Sequence, residues 1–137
     1  MWKLNDETTY LRIAAFEVPR AVTWVDMRAG HTDREKREVI RKVAIQHLPH
    51  PIPHAQWWAF RIFVRKRGVR RFDIENVLKL IVDSFCAKQI EQDHSNLKVA
   101  GLFQDDTVDH VRMLQVAGER TLEADSTTIE IFARIKP

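Results

Sequence analysis

The sequence predicts an α+β domain in which a small mixed β-sheet packs against two helices. Three observations predict it. The patterns follow one another as strand, helix, strand, helix, strand, strand, with strands clustered at the end rather than alternating regularly with helices. Segments 56–66 and 127–135 alternate between an apolar face and a mixed or polar one. Segments 32–47 and 73–92 repeat apolar residues at helical spacing. The 137 residues suit one domain spanning 1–137, large enough for a single core.

Each element has its own local reason. Residues 8–18 are apolar, favour β-structure and stop at Pro19, so they form a first strand. Residues 21–30 permit a short strand or a packed loop around Val22, Trp24 and Val25. Thr32-Asp33-Arg34-Glu35 has the form of a capping box, and the first helix runs from there to about His47. Its buried side carries Val39, Ile40, Val43 and Ala44. Three prolines in 48–53 exclude a helix and make a connecting loop. In the strand 56–66, Trp58, Phe60, Ile62 and Val64 point inward, and Trp57, Arg61, Phe63 and Arg65 share the other face. After a turn at Gly68, a second helix starts near 73–75 and ends around 90–92, burying Ile74, Val77, Leu78, Ile81 and Phe85. A long polar loop at 93–101 leads to two last strands, 108–116 and 127–135, with Ile129, Ile131, Ala133 and Ile135 inward.

Composition narrows the function classes. Hydrophobic content of 45% and charged content of 30% are ordinary for a globular chain. No apolar run approaches the ~20 residues of a membrane-spanning helix, so no membrane association is expected. Residues 1–7 lack the apolar core of a signal peptide. The single cysteine, Cys86, excludes an intramolecular disulfide, and a cytoplasmic location is expected. Net charge is only +3, so the distribution of charge matters more than the total. The run 61–71 holds six cations and no acid: Arg61, Arg65, Lys66, Arg67, Arg70 and Arg71. Acids gather directly after it at Asp73 and Glu75, and again at Asp105 and Asp106.

Carboxylates gather at one point mainly to hold a hard divalent cation, and Lys and Arg gather on one face mainly to hold phosphates. The two patterns side by side point to a metal-dependent enzyme that cuts a nucleic-acid backbone. Asp73 and Glu75 converge only if the chain enters the second helix between them, with Asp73 as its cap. A third carboxylate from Asp105 or Asp106 would make the group unstable without a cation, and Mg²⁺ relieves that repulsion. Lys79, one turn beyond Glu75, reaches the same pocket to orient the nucleophile or offset phosphate charge. The plain alternatives stay open: a helix cap at Asp73, an i,i+4 surface pair between Glu75 and Lys79, a turn at Asp105-Asp106, and a solvated cationic strand.

At these residues the chain resembles the RusA family of Holliday-junction resolvases. That family has a basic approach, then Asp-x-Asp-Asn-x-x-Lys on a helix, an Asp one turn on, and later an aromatic-containing Asp-Asp-x-x-Val. The matching stretches are Arg70-Arg71-Phe72-Asp73-Ile74-Glu75-Asn76-Val77-Leu78-Lys79, then Asp83, then Leu102-Phe103-Gln104-Asp105-Asp106-Thr107-Val108. The resemblance covers residues 70–108. It implies metal ligands at Asp73, Glu75 and Asp106, a catalytic lysine at Lys79, and Mg²⁺ or Mn²⁺ as cofactor. It also implies a homodimer whose two sites nick opposed strands of a four-way DNA junction, in recombination and repair. Glu75 stands where the family usually has Asp, and the segment before Asp105 is longer. The alternatives are a flap or fork nuclease, a non-catalytic nucleic-acid-binding module derived from such an enzyme, and a structural domain whose acids are caps.

Other signals point less far. Trp57 and Phe63 share a face with Arg61 and Arg65, which suits base stacking or, more simply, core or dimer packing. His47, His50 and His54 lack the thiolate or carboxylate partner of a zinc site. His110, near the acidic pair, fits an ordinary strand histidine. Cys86 fits a buried, inert thiol.

Overall fold

The computed structural model describes residues 10–19, 32–69 and 73–135. The predicted element at 21–30 and the cations Arg70 and Arg71 lie outside these residues. Among the described residues, a four-stranded mixed sheet carries its helices on one face. Its strands are β1 (Leu11–Val18), β2 (Ala55–Arg67), β3 (Val111–Thr121) and β4 (Ser126–Ile135), in the order β1-β4-β2-β3. β4 is antiparallel to both neighbours, and β2 runs parallel to β3. The parallel pair needs a crossover. Helices α2 (Ile74–Ser84) and α3 (Ala87–Gln92) supply it, and α1 (Asp33–Ala44) joins β1 to β2.

The expected α+β architecture is present, and so is the inward alternation of β2: Trp58, Phe60, Ile62 and Val64 are all buried. Thr32 caps α1 as its sequence suggests, its Oγ1 accepting from the Glu35 amide at 3.2 Å. α1 is shorter than expected and ends in turns at 45–47. Ile129, Ile131 and Ala133 lie inward, whereas Ile135, at the end of β4, is exposed. β3 begins and ends later than its apolar run, because it is an edge strand whose length follows its partner β2.

The largest departure is in the second helix, which breaks instead of running on to about Gln92. α2 stops at Ser84, and Cys86 turns extended (φ −85, ψ 120) before α3 begins. At the break Cys86 makes a one-residue parallel bridge to Phe103. The Ala87 amide donates to the Phe103 carbonyl at 2.8 Å, and the Leu102 amide to the Phe85 carbonyl at 2.9 Å. Phe103 is buried and meets Phe60 edge-on at 6.1 Å, while Phe85 lies 5.7 Å from the same ring. Core packing of these rings competes with helix continuation, although neither Gly nor Pro marks the break. Cys86 is buried as expected, its thiol donating to the Gln104 carbonyl.

A buried ionic hub braces the break. Arg41 on α1 is fully buried; its Nε donates to the Ser84 carbonyl at 2.7 Å, and its Nη2 lies 2.9 Å from Asp93. The Ser84 carbonyl belongs to the last turn of α2, where a cation also faces the negative end of the helix dipole. Arg37 grips the Asp93 carboxylate with two hydrogen bonds, of 2.7 and 2.8 Å. Asp93 is therefore a structural acid inside the segment that composition reads as a polar loop. Burial would raise its pKa, but hydrogen bonds from Arg37 and Gln89, with the Arg41 guanidinium 2.9 Å away, overcome that and lower it to about 2.

Asp93→Asn should cost about 3 kcal/mol in urea unfolding at neutral pH, because it leaves buried guanidinium groups short of a counter-charge. The folded-state pKa lies below the unfolded one, so this contribution is complete above the unfolded pKa of ~3.9 and lost as pH falls toward the folded value. The stability difference between parent and variant should shrink between about pH 4 and pH 2. A difference independent of pH over that range would contradict the assignment.

Candidate metal and phosphate-handling site

Residues 103–106 follow directly from the bridge at Cys86, so the loop lies against the C-terminal half of α2. Asp106 consequently approaches Asp83. The charge of Asp106 reaches the half-buried Asp83, whose pKa is raised to about 6. Loss of solvent is the largest cause, followed by the charge of Asp106; Lys79 and Arg37 pull the other way. Glu75, Lys79 and Asp83 recur every fourth residue along one side of α2, so the lysine sits one turn before the acid pair. Lys88, on α3, lies 3.8 Å from Asp105.

The acids of the expected metal set are spread apart. Asp73 is the N-cap of α2, its Oδ1 accepting from the Glu75 amide at 2.9 Å. A helix rises 1.5 Å per residue, which puts Asp73 about 15 Å and Glu75 about 12 Å along the axis from Asp83. Among the described residues no group of three or more His, Cys, Asp or Glu side chains is placed to hold a metal ion. The capping geometry foreseen for Asp73 is therefore present, and its convergence with Asp106 is not. Asp83, which the sequence could not assign, is the acid that Asp106 reaches. Its signal was its place in the 75–79–83 stripe.

The donor set has a partial fit to a divalent cation. Two carboxyl groups close enough for the charge of one to raise the pKa of the other have a repulsion that a hard ion relieves. Asp83 and Asp106 fit such an ion as ligands. Asp73 and Glu75 do not join them in this arrangement.

Two members of the cationic run, Arg61 and Arg65, do not flank this pair. They point to the face of the sheet away from the helices, because α2 packs on the Phe60 side. Both have carboxylate partners there. Arg61 makes a two-pronged contact with Glu130 at 2.8 and 2.9 Å, shared with Arg12, and lies over Phe132. Arg65 lies 3.6 Å from Glu119 and stacks on Phe63 at 4.6 Å. Lys66 is buried and pairs with Asp125 at 3.1 Å. Arg67 is exposed at the end of β2. A shallow concavity of about 710 Å³ opens beside Arg61 and Phe63, with Gln115, Thr128 and Glu130 along its walls. Phe63 and Trp57 thus pack arginines, and His47 stacks on Phe16.

No protein-family model matches the chain, and no curated protein sequence matches it.

In metal-free protein the Asp83 carboxyl should titrate near pH 6 by carbon-detected NMR, and Asp106→Asn should move it down toward the ordinary carboxylate range. Because the folded-state pKa lies above the unfolded one, ionising Asp83 costs stability as pH rises from about 4 to 6. Asp83→Asn should therefore match or exceed the parent by about 1 to 2 kcal/mol at neutral pH. An Asp83 that titrates in the ordinary range, whether or not Asp106 is present, would dissolve the pair.

Proposed function

We propose that the chain is a Mg²⁺- or Mn²⁺-dependent endodeoxyribonuclease acting on branched DNA, with Asp83 and Asp106 at the heart of its metal site. The observation that carries this reading is the Cys86–Phe103 bridge, which lays the loop after α3 against the end of α2 and brings Asp106 near enough to Asp83 for their charges to interact. Support also comes from Lys79, whose charge acts on Asp83 from one turn away, and from the sequence pattern in which these residues stand.

In this reading Asp83 and Asp106 hold the cation, and the ammonium of Lys79 offsets charge that accumulates on the phosphate oxygens in the transition state. The ion, when bound, supplies positive charge to the scissile phosphate and activates a water nucleophile. Glu75 adds negative charge on the same helix face, and Asp73 keeps the N-terminus of α2 in place. Resolving a four-way junction requires paired nicks, and hence a homodimer with two such sites.

A second reading, a nucleic-acid-binding module without catalysis, is favoured by one observation: Asp73, Glu75 and Asp106 do not gather among the described residues. Cleavage assays separate the two. Asp83→Asn and Asp106→Asn should each lower metal-dependent nicking of a synthetic four-way junction at least a hundredfold, with junction binding retained. Lys79→Ala should lower the rate about tenfold to a hundredfold. Comparing junction, fork and linear duplex at one salt concentration ranks the substrates. Salt-sensitive binding with no nicking in Mg²⁺ or Mn²⁺ supports the module instead. Undiminished nicking by the doubly neutralised variant removes the proposed site.

A further inference from the structure

On the sheet face turned away from the helices, at the end where β3 begins, one indole is shared by two arginines. The guanidinium carbon of Arg112 lies 4.2 Å from the Trp57 ring centroid, and that of Arg134 lies 5.2 Å from it. The arginines come from the strands on either side of β2, since Trp57 is registered opposite Arg134 on β4 and Arg112 belongs to β3. Trp57 also packs against a buried cluster of Tyr10, Ala59 and Phe132, which holds the ring in place. Its Nε1–H donates to the Tyr10 hydroxyl, close enough to both arginines to feel their charge.

These two cations differ from Arg12, Arg61 and Arg65 on this face. Arg12 and Arg61 are neutralised by Glu130, and Arg65 faces Glu119. Among the described residues no carboxylate lies within ion-pair distance of Arg112 or Arg134. The Arg112 Nε donates to the Val108 carbonyl at 2.9 Å, which orients the guanidinium. A ring quadrupole offsets part of the repulsion between two such charges, but only an anion neutralises them. Guanidinium groups held by stacking lose little freedom on binding, and their planar donor forks match phosphate oxygens in two-pronged fashion.

We propose that Arg112 and Arg134, set by Trp57, form a phosphate-binding site on this face of the sheet. The ligand is a phosphate group, carried by a nucleic-acid backbone or by a small phosphorylated molecule. Asp83 belongs to the opposite face, and the arginine site does not depend on the metal chemistry proposed for it.

The test uses the intact chain with EDTA present, so that cleavage plays no part in the readout. Binding of a short fluorescent single-stranded oligodeoxynucleotide is measured against salt concentration, and binding of inorganic phosphate by chemical-shift perturbation. Arg112→Gln and Arg134→Gln should each weaken oligonucleotide binding about tenfold and lower the salt slope by about one. Arg12→Gln, at a carboxylate-paired arginine, should change little. Folding of each variant is checked by circular dichroism, and Arg112→Lys keeps the charge while removing the fork, so it should recover only part of the affinity. If only the phosphate shifts respond to the substitutions, the ligand is a small phosphorylated molecule and the site stands. If neither probe binds, or both bind the folded double variant as they bind the parent, the site is refuted.

Discussion

Arg41, buried between α1 and the end of α2, holds the feature on which the rest of the architecture turns. It joins the Ser84 carbonyl to the Asp93 carboxylate. Those groups lie on either side of a helix break, and the brace compensates for stopping α2 where apolar periodicity would carry it on. The break frees Cys86 to pair with Phe103, whose ring then enters the core beside Phe60. From there the chain has few residues in which to reach Asp106, so the acid is delivered to Asp83 rather than to the start of the helix. An ionic hub thereby determines which part of α2 Asp106 approaches.

Much of the fold was legible in the residues themselves. The alternation of β2 and β4, the Thr32 cap, the proline loop and the Asp73 cap are local effects, and they survive in the folded chain. The helix break was not legible, because it arises from Phe85 and Phe103 packing on a shared partner that is distant in sequence. Asp93 was hidden for a related reason. A polar stretch reads as solvated loop, and nothing local reveals that Arg37 and Arg41 turn inward to meet it. The acid site was half legible: Asp106 and Lys79 stand near the centre of charge, while Asp83 replaces Asp73 and Glu75 as the partner. Spacing along a helix tells which residues share a side. Which turn of that side a distant loop touches is settled by tertiary packing.

The cationic strand shows how sheet geometry sorts a charge run. Residues of alternating parity leave β2 on opposite faces, so Arg61 and Arg65 cannot stand beside acids on the helix side. They instead form ladders with Glu130 and Glu119 on the neighbouring strands, a use of charge that stabilises the outer face. Arg112 and Arg134, from segments that carry no cationic run at all, have no carboxylate within ion-pair distance among the described residues. A linear count of basic residues thus points to one strand, and three-dimensional pairing transfers the interest to its two neighbours.

The central claim is that Asp83 and Asp106 form one site whose proton gives way to a divalent cation. Isothermal titration of the metal-free protein with Mn²⁺ near pH 6, repeated in buffers of different ionisation enthalpy, measures the binding and the protons released with it. The account predicts saturable binding with net proton release, abolished by Asp83→Asn and by Asp106→Asn but retained by Asp73→Asn. Binding that ignores both of the first two substitutions, or no binding at all, would contradict it.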